Sequence, residues 1–217
     1  MAKSFLVIGL GRFGNTVAAT LSGMRNEVMA VDQSMENVEN IKGIVLNAAQ
    51  CDTTDEHAIE ALGVNEFDAV IICIGSDIRA SVMTTLLCLE HGAKFVIAKA
   101  QDELHAKLLK KVGAHKVVHP EKDAGIRLAR SLSAENMVDF LSLSDTFGIT
   151  EQRVPQKWIG KSLLDVNVRQ KFDVSVIAIR RGGHMVANPK SDTRFEEDDT
   201  LLLIGENEAL TRVARIL

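Results

Sequence analysis

The feature that most constrains the fold is a regular alternation of short apolar runs with amphipathic segments over residues 1–136. The segments between the runs have apolar residues at helical spacing, and two of them end at Gly43 and Gly92. Strands that alternate with helices form a parallel sheet covered by helices on both faces. The sequence therefore predicts an α/β domain over residues 1–136, with a Rossmann-like, doubly wound sheet of six strands. The six runs are SFLVIG, EVMAVD, IVLNA, DAVIICIG, KFVIAKA and HKVVHP.

The pattern changes after residue 136, where apolar and polar residues alternate singly in MVDFLSLSDTFGITEQRVP. This period of two predicts half-exposed antiparallel strands. VSVIAIRRGGHMVANP predicts a hairpin that turns at Gly182 and Gly183, DTLLLIG a further strand, and NEALTRVARIL a terminal helix. We therefore expect a small C-terminal α+β lobe over residues 137–217. A lobe of that size has a marginal core alone, which favours dimerisation.

Composition excludes several classes of protein. The 25 basic and 29 acidic side chains give a net charge of -4, so there is no general attraction to nucleic acid. No signal peptide and no apolar run of the roughly 18–20 residues that span a bilayer is apparent. Cys51, Cys73 and Cys88 lack metal-ligand spacing and read as reduced, mostly buried thiols. We expect a cytoplasmic protein with no nucleic-acid partner.

The stretch GLGRFG has the glycine spacing of a dinucleotide-binding turn, after a strand and at the start of a helix. Gly9 permits the tight turn, Gly11 lets the backbone approach a phosphate, and Gly14 lets the helix pack on the sheet. The helix N-terminus offers free N–H groups to phosphates. Asp32 ends the next strand and is placed to accept ribose hydroxyls, which disfavours the 2′-phosphate of NADP. The alternative is a turn of the same shape that binds nothing.

Three charged residues near the predicted strand ends each have two interpretations. Arg12 lies at a helix start, where a cation is disfavoured; it is either a solvated side chain or a bidentate clamp on phosphate. Lys99 ends the fifth strand on the ligand side of the sheet, or is a surface lysine. Glu121 follows Pro120 at a helix start, where the helix dipole alone favours a carboxylate; it could also hold a hard cation.

Nothing in the sequence assembles a catalytic constellation. Hydride transfer needs an acid or base beside the substrate, and the C-terminal lobe offers His184 and little else. His105, His115 and His119 are predicted to be surface or loop histidines. We predict that the chain is not an enzyme; the alternatives are a small NAD-dependent oxidoreductase and an NAD(H)-responsive redox sensor. A sensor that acts on DNA would need a basic reading element that is not apparent.

Two short acidic stretches are predicted to have structural roles. Residues 53–56, Thr-Thr-Asp-Glu, fit a capping box that opens a helix. Residues 194–199, Arg-Phe-Glu-Glu-Asp-Asp, look like a cation site, but a charge run before a strand is more typical of a solvated turn.

Seven stretches of the sequence together identify a known family: FLVIGLGRFG, AVDQS, residues 52–55, AKAQDELHAKLLKKVGAHKVVHPEKDAG, IGKSLLDVNVR, VSVIAIRRGG and EEDDTLLLIG. They resemble the RCK family, the regulators of K+ conductance, and in particular the cytosolic regulatory subunits of Ktr/Trk-type bacterial potassium uptake systems. The resemblance implies a dimer that assembles into an octameric ring on the cytoplasmic face of a membrane potassium-translocating subunit. It implies binding of ATP and ADP, with NAD(H) as a further ligand, and it implies that ATP favours the conducting state and ADP the inactive one.

The resemblance also implies roles for individual positions. Arg12 and Lys99 would face phosphates, Arg12 those of the neighbouring subunit, and Glu121 would help hold Mg²⁺ or Ca²⁺ at the dimer interface. The family's usual Gly-Asp-Ala-Thr turn is Cys-Asp-Thr-Thr here, with bulkier Cys51 and Thr53. The nucleotide-binding residues implied are Gly9, Gly11, Arg12, Phe13, Gly14, Asp32, Gln33, Cys51, Asp52, Thr53, Ile74, Gly75 and Lys99.

In relatives the small lobe can bind cyclic di-AMP. Here its predicted hairpin, residues 174–186, is apolar with Arg180, Arg181 and His184 nearby. A sheet that forms a dimer explains the apolar residues equally well.

Overall fold

The computed structural model describes residues 2–132, 136–144 and 146–216. It contains two compact units, Met1–Glu121 and Lys122–Leu217. The helix that begins at Pro120 belongs largely to the second unit. The predicted end of this helix at residue 136 runs over residues 133–135, which lie outside the described residues. The domain boundary at 136/137 stays a prediction.

The first unit contains a six-stranded sheet in which every neighbouring pair is parallel. The strand order is β3-β2-β1-β4-β5-β6. The chain therefore adds β2 and β3 on one side of β1, and then β4, β5 and β6 on its other side. This confirms the predicted Rossmann-like, doubly wound α/β fold. The strands are β1 (Ser4–Ile8), β2 (Glu27–Asp32), β3 (Asn47–Gln50), β4 (Ala69–Ile72), β5 (Val96–Lys99) and β6 (Lys116–Val118).

Helices connect the strands and cover both faces of the sheet. They are α1 (Arg12–Gly23), α2 (Met35–Ile41), α3 (Glu56–Leu62), α4 (Ile78–Glu90) and α5 (Glu103–Val112). A sixth helix, α6 (Pro120–Leu132), follows β6. Because side chains alternate along a strand, Leu6 and Ile8 of β1 enter one buried cluster and Val7 enters the other. Every residue of β4 is buried, as its continuous apolar run predicts.

Two local predictions for the first unit are wrong. The third strand begins at Asn47 rather than Ile44, because Ile44 and Leu46 are exposed and only Val45 between them is buried. The capping box over residues 53–56 does not form: the N-cap of α3 is Asp55, whose carboxylate accepts the His57 N–H.

The second unit is built on a five-stranded antiparallel sheet of order β10-β9-β11-β8-β7. Its strands are β7 (Met137–Ser142), β8 (Phe147–Arg153), β9 (Val174–Arg181), β10 (His184–Ala187) and β11 (Thr200–Glu206). Short helices α7 (Leu163–Val166) and α8 (Val168–Phe172) precede β9, and α9 (Asn207–Ala214) follows β11. The predicted hairpin is confirmed, with Gly182 and Gly183 at positive φ in its turn. Phe195, Leu201 and Leu210 are central to the core.

The acidic stretch of residues 194–199 is not a wholly solvated turn. Asp199 is 1% exposed, and its carboxylate accepts the backbone N–H of Glu196 and two N–H groups of Arg181. Arg181 also pairs with Glu196, and Arg180 pairs with Glu151. The two hairpin arginines are therefore bound to carboxylates of the same unit.

No helix within the described ranges is long and apolar enough to cross a membrane.

Candidate functional site

A cleft of about 690 Å³ opens in the first unit at the carboxyl ends of the parallel strands. This volume lies within the range of roughly 300–1,000 Å³ that is typical of small-molecule sites. Of the residues predicted to bind nucleotide or metal, thirteen line the cleft: Gly9, Gly11, Arg12, Phe13, Asp32, Gln33, Cys51, Asp52, Thr53, Ile74, Gly75, Lys99 and Glu121. Gly14 is not among the lining residues, because it packs beneath the glycine turn.

Sequence reasoning missed nine lining residues: Ile8, Ser34, Asn37, Thr54, Cys73, Ser76, Asp77, Ala80 and Gln101. Each lies at a predicted strand end or in the few residues that follow one. Ligands of open α/β sheets bind outside the carboxyl ends of the strands, so position alone could have identified them.

The three glycines of the turn are constrained in different ways. Gly9 has φ +90, and a Cβ there would lie 3.1 Å from the backbone of Cys73 and Ile74. A Cβ at Gly14 would lie 1.8 Å from the carbonyl oxygen of Gly9, a distance that no side chain tolerates. A Cβ at Gly11 would meet nothing within 4 Å. Gly11 therefore leaves open space over the first turn of α1, where backbone N–H groups lack helical acceptors.

Asp32 is oriented by two backbone hydrogen bonds. Its carboxylate accepts the N–H of Leu10 at 2.5 Å and the N–H of Ser34 at 2.8 Å, one on each oxygen. A carboxylate oxygen has more than one acceptor direction, so both oxygens can still accept from a ligand. The bond to Leu10 also ties the end of β2 to the glycine turn.

Lys99 and Glu121 form an ion pair inside the cleft. The Lys99 Nζ donates to Glu121 Oε1 at 2.6 Å, and the side chains are 14% and 69% exposed respectively. The Lys99 stem passes over Gly75, where an added Cβ would lie 3.2 Å from Nζ. Its ammonium also lies 5.7 Å from the centroid of the Phe13 ring. The hydrogen bond from Lys99 holds the pKa of Glu121 below its usual range, although partial desolvation opposes this.

Arg12 is the first residue of α1 and is exposed at the edge of the cleft. Among the residues that the structure describes, none forms a hydrogen bond or an ion pair with the Arg12 side chain. Its charge nevertheless contributes to the lowered pKa of Glu121, after the larger effect of Lys99. Two cationic side chains, those of Arg12 and Lys99, thus line the same cleft as the glycine turn.

The loop after β3 forms another wall of the cleft. Asp52 accepts the backbone N–H and the hydroxyl of Thr54, and these bonds lower its pKa. Thr53 is buried, and its hydroxyl lies 2.9 Å from that of Thr84 on α4. Thr53 therefore fastens the loop to α4, while Asp52 and Cys51 present polar atoms near the predicted adenine position.

The thiols of the cleft are poor nucleophiles. Burial raises the pKa of Cys73 to about 12, and burial with the charges of Asp52 and Asp55 raises the pKa of Cys51. All three cysteines are free, and Cys73 and Cys88 are buried, as predicted.

The prediction that His105 is a surface or loop histidine is wrong. Its side chain is 0% exposed on α5, its Nδ1 accepts the N–H of Gln101, and its Nε2 lies 3.2 Å from Ser81 Oγ. Burial lowers the pKa of His105, and Asp102 opposes that effect. Because Gln101 lines the cleft, its hydrogen bond with His105 helps to hold that part of the wall in place.

The donor set fits a phosphate-bearing nucleotide better than a metal ion alone. In the part of the chain that the structure describes, no group of three or more His, Cys, Asp or Glu side chains could hold a metal. Glu121 offers one carboxylate, so a cation there would need ligands from a phosphate or from another subunit. The open space at Gly11, the two cations and the carboxylate of Asp32 suit a nucleotide's phosphates and ribose.

Comparisons of the sequence with known proteins match both units. The family model described as the TrkA-N domain matches residues 5–120, and the one described as the TrkA-C domain matches residues 150–217. Ktr system potassium uptake protein A of Bacillus subtilis is 38% identical over 97% of this chain and 95% of the relative. Its counterpart in Vibrio alginolyticus is 34% identical over 99% of this chain and 98% of the relative.

Solved structures share the fold at lower sequence identity. The GsuK channel bound to NAD has a TM-score of 0.70 and 19% identity, over 98% of this chain and 39% of the channel chain. The GsuK RCK domain has a TM-score of 0.70 and 19% identity, over 99% of this chain and 48% of that chain. The chain therefore spans less than half the length of these two structures.

Proposed function

The chain belongs to the family of proteins that join a TrkA-N domain to a TrkA-C domain, and from that premise we propose that it is a nucleotide-sensing regulatory subunit of a bacterial potassium uptake system. The relatives that support this role are Ktr system potassium uptake proteins, and they align with nearly the whole chain. The observation that carries the nucleotide part is the cleft, where a glycine turn faces Arg12 and Lys99.

In this proposal each wall of the cleft recognises one part of an adenine nucleotide. The first turn of α1 and the cations Arg12 and Lys99 bind the phosphates. The Asp32 carboxylate accepts hydrogen bonds from the ribose hydroxyls, through the lone pairs that the N–H groups of Leu10 and Ser34 do not use. The loop that carries Asp52 lies beside the base. Catalysis is not part of the proposed role, since the pKa values of the cleft thiols Cys51 and Cys73 are raised and the other polar groups are suited to binding.

ATP and ADP would act as opposing signals. A ligand shifts a conformational equilibrium only by the difference in its affinity for the two states. The γ-phosphate supplies such a difference because it can engage Arg12, whose guanidinium has no partner in the described part of its own chain. ATP would then favour the conducting state of the membrane partner, and ADP the inactive state.

The proposal includes an assembly in which the sites act together. Residues 1–136 would form the nucleotide-binding lobe and residues 137–217 a dimerisation lobe. Dimers would form an octameric gating ring on the cytoplasmic face of the membrane, docked on the potassium-translocating subunit. Glu121 would contribute to a Mg²⁺ or Ca²⁺ site between subunits, where phosphate oxygens supply the remaining ligands.

NAD(H) is the second candidate ligand, and the glycine turn with Asp32 favours it. One solved structure of the GsuK channel, which shares this fold, is bound to NAD. Cyclic di-AMP is a candidate ligand for the second unit. Its phosphates would have to compete for Arg180 and Arg181 with Glu151, Glu196 and Asp199.

A thermal-shift screen of the full chain with ATP, ADP, NAD+, NADH and cyclic di-AMP tests the proposal. A ligand that binds the folded state raises its stability by RT ln(1 + [L]/Kd), about 2.7 kcal/mol at a hundredfold excess over Kd. We expect ATP and ADP to raise the melting temperature. A response to NADH alone would instead favour the oxidoreductase or redox-sensor alternatives.

A further inference from the structure

The end of the first unit's sheet that lies opposite the cleft carries a group of cationic side chains. The cleft opens at the carboxyl ends of the strands, whereas these side chains surround the starts of β5 and β6 and the last turn of α5. All of them are exposed. We call this group the basic patch, and it consists of Lys94, Lys110, Lys111 and Lys116 together with Phe95 and His115.

Short connections keep the members of the basic patch close together. The His115 Nδ1 accepts the backbone N–H of the first residue of β5 at 3.0 Å, and the His115 ring lies 5.2 Å from the Phe95 ring. Lys94 directly precedes Phe95, and Lys116 directly follows His115. The helix α5, whose last turn carries the other two lysines, ends three residues before His115.

The positive charge of the basic patch is not neutralised by its surroundings. Lys94 donates to the backbone carbonyl of Glu66 at 3.4 Å. Among the residues that the structure describes, none forms a hydrogen bond or an ion pair with the other three lysine ammonium groups. The carboxylate of Asp68, at the start of β4, faces β1 and accepts the N–H of Ser4. Glu66 and Glu90 on the adjoining segments therefore supply two negative charges against four positive ones.

Structural reasons explain some of these lysines singly. Lys110 and Lys111 complement the dipole at the end of α5, and Lys116 protects β6, the outer strand of the sheet, from pairing with another strand. Neither reason explains an aromatic ring among them, and Phe95 is 40% exposed. Basic side chains around an exposed apolar one are typical of surfaces that bind the boundary between water and lipid.

We propose that the basic patch is a contact surface for an anionic phospholipid bilayer. The choice of partner rests on the proposed function, because a regulatory subunit docked on a membrane protein lies beside the negatively charged cytoplasmic leaflet. The lysine ammonium groups lie among the headgroup phosphates, and the Phe95 ring enters the boundary with the acyl chains. Lysines suit this contact because a point charge on a flexible stem needs no fixed partner geometry.

The basic patch is less suited to a stable interface with protein. Such interfaces bury at least about 1,000 Å² in total, and lysine is depleted at their centre. The patch instead has a single exposed ring among four lysines. Two copies of the chain that met through this surface would also bring like charges together.

The contact would be weak for one copy and would strengthen when several copies face one bilayer. Each lysine close to an anionic surface raises the partition coefficient by about three- to fivefold. Since the patch and the cleft lie at opposite ends of the parallel strands, the bound chain keeps its cleft open to nucleotides from the cytoplasm.

Sedimentation of the full chain with vesicles tests the inference at low ionic strength. The vesicles contain phosphatidylcholine alone or with about one third phosphatidylglycerol. We expect binding only to the anionic vesicles, and a loss of about tenfold or more in the double variant Lys110→Gln/Lys111→Gln. The matched control Lys157→Gln/Lys161→Gln removes two exposed lysines of the second unit and should bind as the wild type does. Equal losses in the two variants, or no binding by the wild type, overturn the inference.

Phe95→Ala tests whether the ring enters the bilayer. It should weaken vesicle binding about threefold or more, by a factor that persists at raised ionic strength because an apolar contact is not screened. Unchanged binding in Phe95→Ala would contradict a bilayer contact and indicate attraction to any polyanion.

Two further results separate the alternatives. If the wild type ignores anionic vesicles but binds the detergent-solubilised membrane subunit through Lys110 and Lys111, the surface recognises an acidic protein and the inference is wrong. Nucleotide binding in the thermal-shift screen does not depend on the basic patch. A chain that binds ATP and ADP but no vesicles therefore overturns this inference and leaves the proposed function intact.

Discussion

At the scale of single residues, the glycine turn combines two different requirements. Gly14 is required by the protein itself, because its Cα faces the carbonyl oxygen of Gly9. Gly11 faces open space, so the folded chain alone does not require a glycine there. The spacing in the sequence predicts both glycines, but only the structure separates the packing role from the ligand role.

This difference predicts opposite results for two alanine variants. Gly14→Ala should lower the free energy of unfolding by about 3 kcal/mol or more, because the new Cβ overlaps backbone. Gly11→Ala should change it by less than about 1 kcal/mol but weaken nucleotide binding at least tenfold, because the methyl occupies the phosphate's approach. Chemical denaturation and calorimetry measure the two effects. A stable Gly11→Ala variant with unchanged ATP affinity would contradict the assignment of the turn.

Arg12 occupies a position that is electrostatically unfavourable within its own helix. Its cation lies at the positive end of the α1 dipole, so Arg12→Ala should leave the free energy of unfolding within about 0.5 kcal/mol or raise it slightly. It should weaken ATP binding about tenfold or more and ADP binding less, since a charge-assisted hydrogen bond is lost. Calorimetry with both nucleotides measures the difference.

Arg79→Ala is the matched control for Arg12→Ala. Arg79 is also exposed in the first turn of a helix, α4, but does not line the cleft. ATP affinity should therefore be unchanged in Arg79→Ala. Similar losses in the two variants would show that Arg12 acts through net charge alone.

At the scale of elements, the sequence predicts the strands and helices that follow a repeated pattern. It does not predict contacts between side chains that are far apart in the sequence. The six strands and their doubly wound parallel sheet follow from apolar runs alternating with helices, and the hairpin at Gly182 follows from its paired glycines. The predicted capping box does not form, because the Thr53 hydroxyl bonds with that of Thr84, thirty-one positions later, and Asp55 caps α3 instead. Asp199 was expected to face solvent because the sequence around it does not indicate that Arg181, on a different strand, is its partner.

His105, which joins α5 to α4, is a second case in which a distant contact could not be predicted from the sequence. A histidine in the polar sequence DELHAK is typical of a surface, yet it bridges Gln101 and Ser81 in the interior. Nothing in the local sequence indicates that α4 will place Ser81 above it. The cleft's supporting layer therefore could not be predicted, although most of its lining could.

The lowered pKa of His105 predicts a pH dependence of stability. Burial disfavours its charged form, so below about pH 6.5 the unfolded chain binds a proton that the folded chain does not. Stability should therefore fall as pH drops from about 6.5 toward the lower folded pKa, with Asp102 and His119 as the neighbouring charges that modify it. His105→Gln should remove this part of the slope in denaturation measured between pH 7 and 5, though it lowers stability overall. An identical slope in wild type and variant would contradict the prediction.

At the scale of the whole molecule, the two units have separate roles under the proposed function. The first carries the cleft, with its cations and glycine turn, and is matched by the TrkA-N domain. The second carries an antiparallel sheet whose hairpin arginines, Arg180 and Arg181, are already paired, and is matched by the TrkA-C domain. Such a division suits a sensor that binds a small molecule in one unit and assembles through the other. Under the proposed function, regulation of a membrane partner would be a property of the assembly.

Potassium flux into proteoliposomes measures whether nucleotides bound to this chain regulate potassium uptake. The full chain would be reconstituted with the membrane subunit of its own potassium uptake system, and flux compared with saturating ATP and saturating ADP. We expect faster flux with ATP than with ADP, and we expect this difference to shrink strongly in Arg12→Ala while Arg79→Ala retains it. Equal flux with ATP and ADP in the wild-type complex, with both nucleotides bound, would contradict the claim that this chain senses nucleotides to regulate potassium uptake.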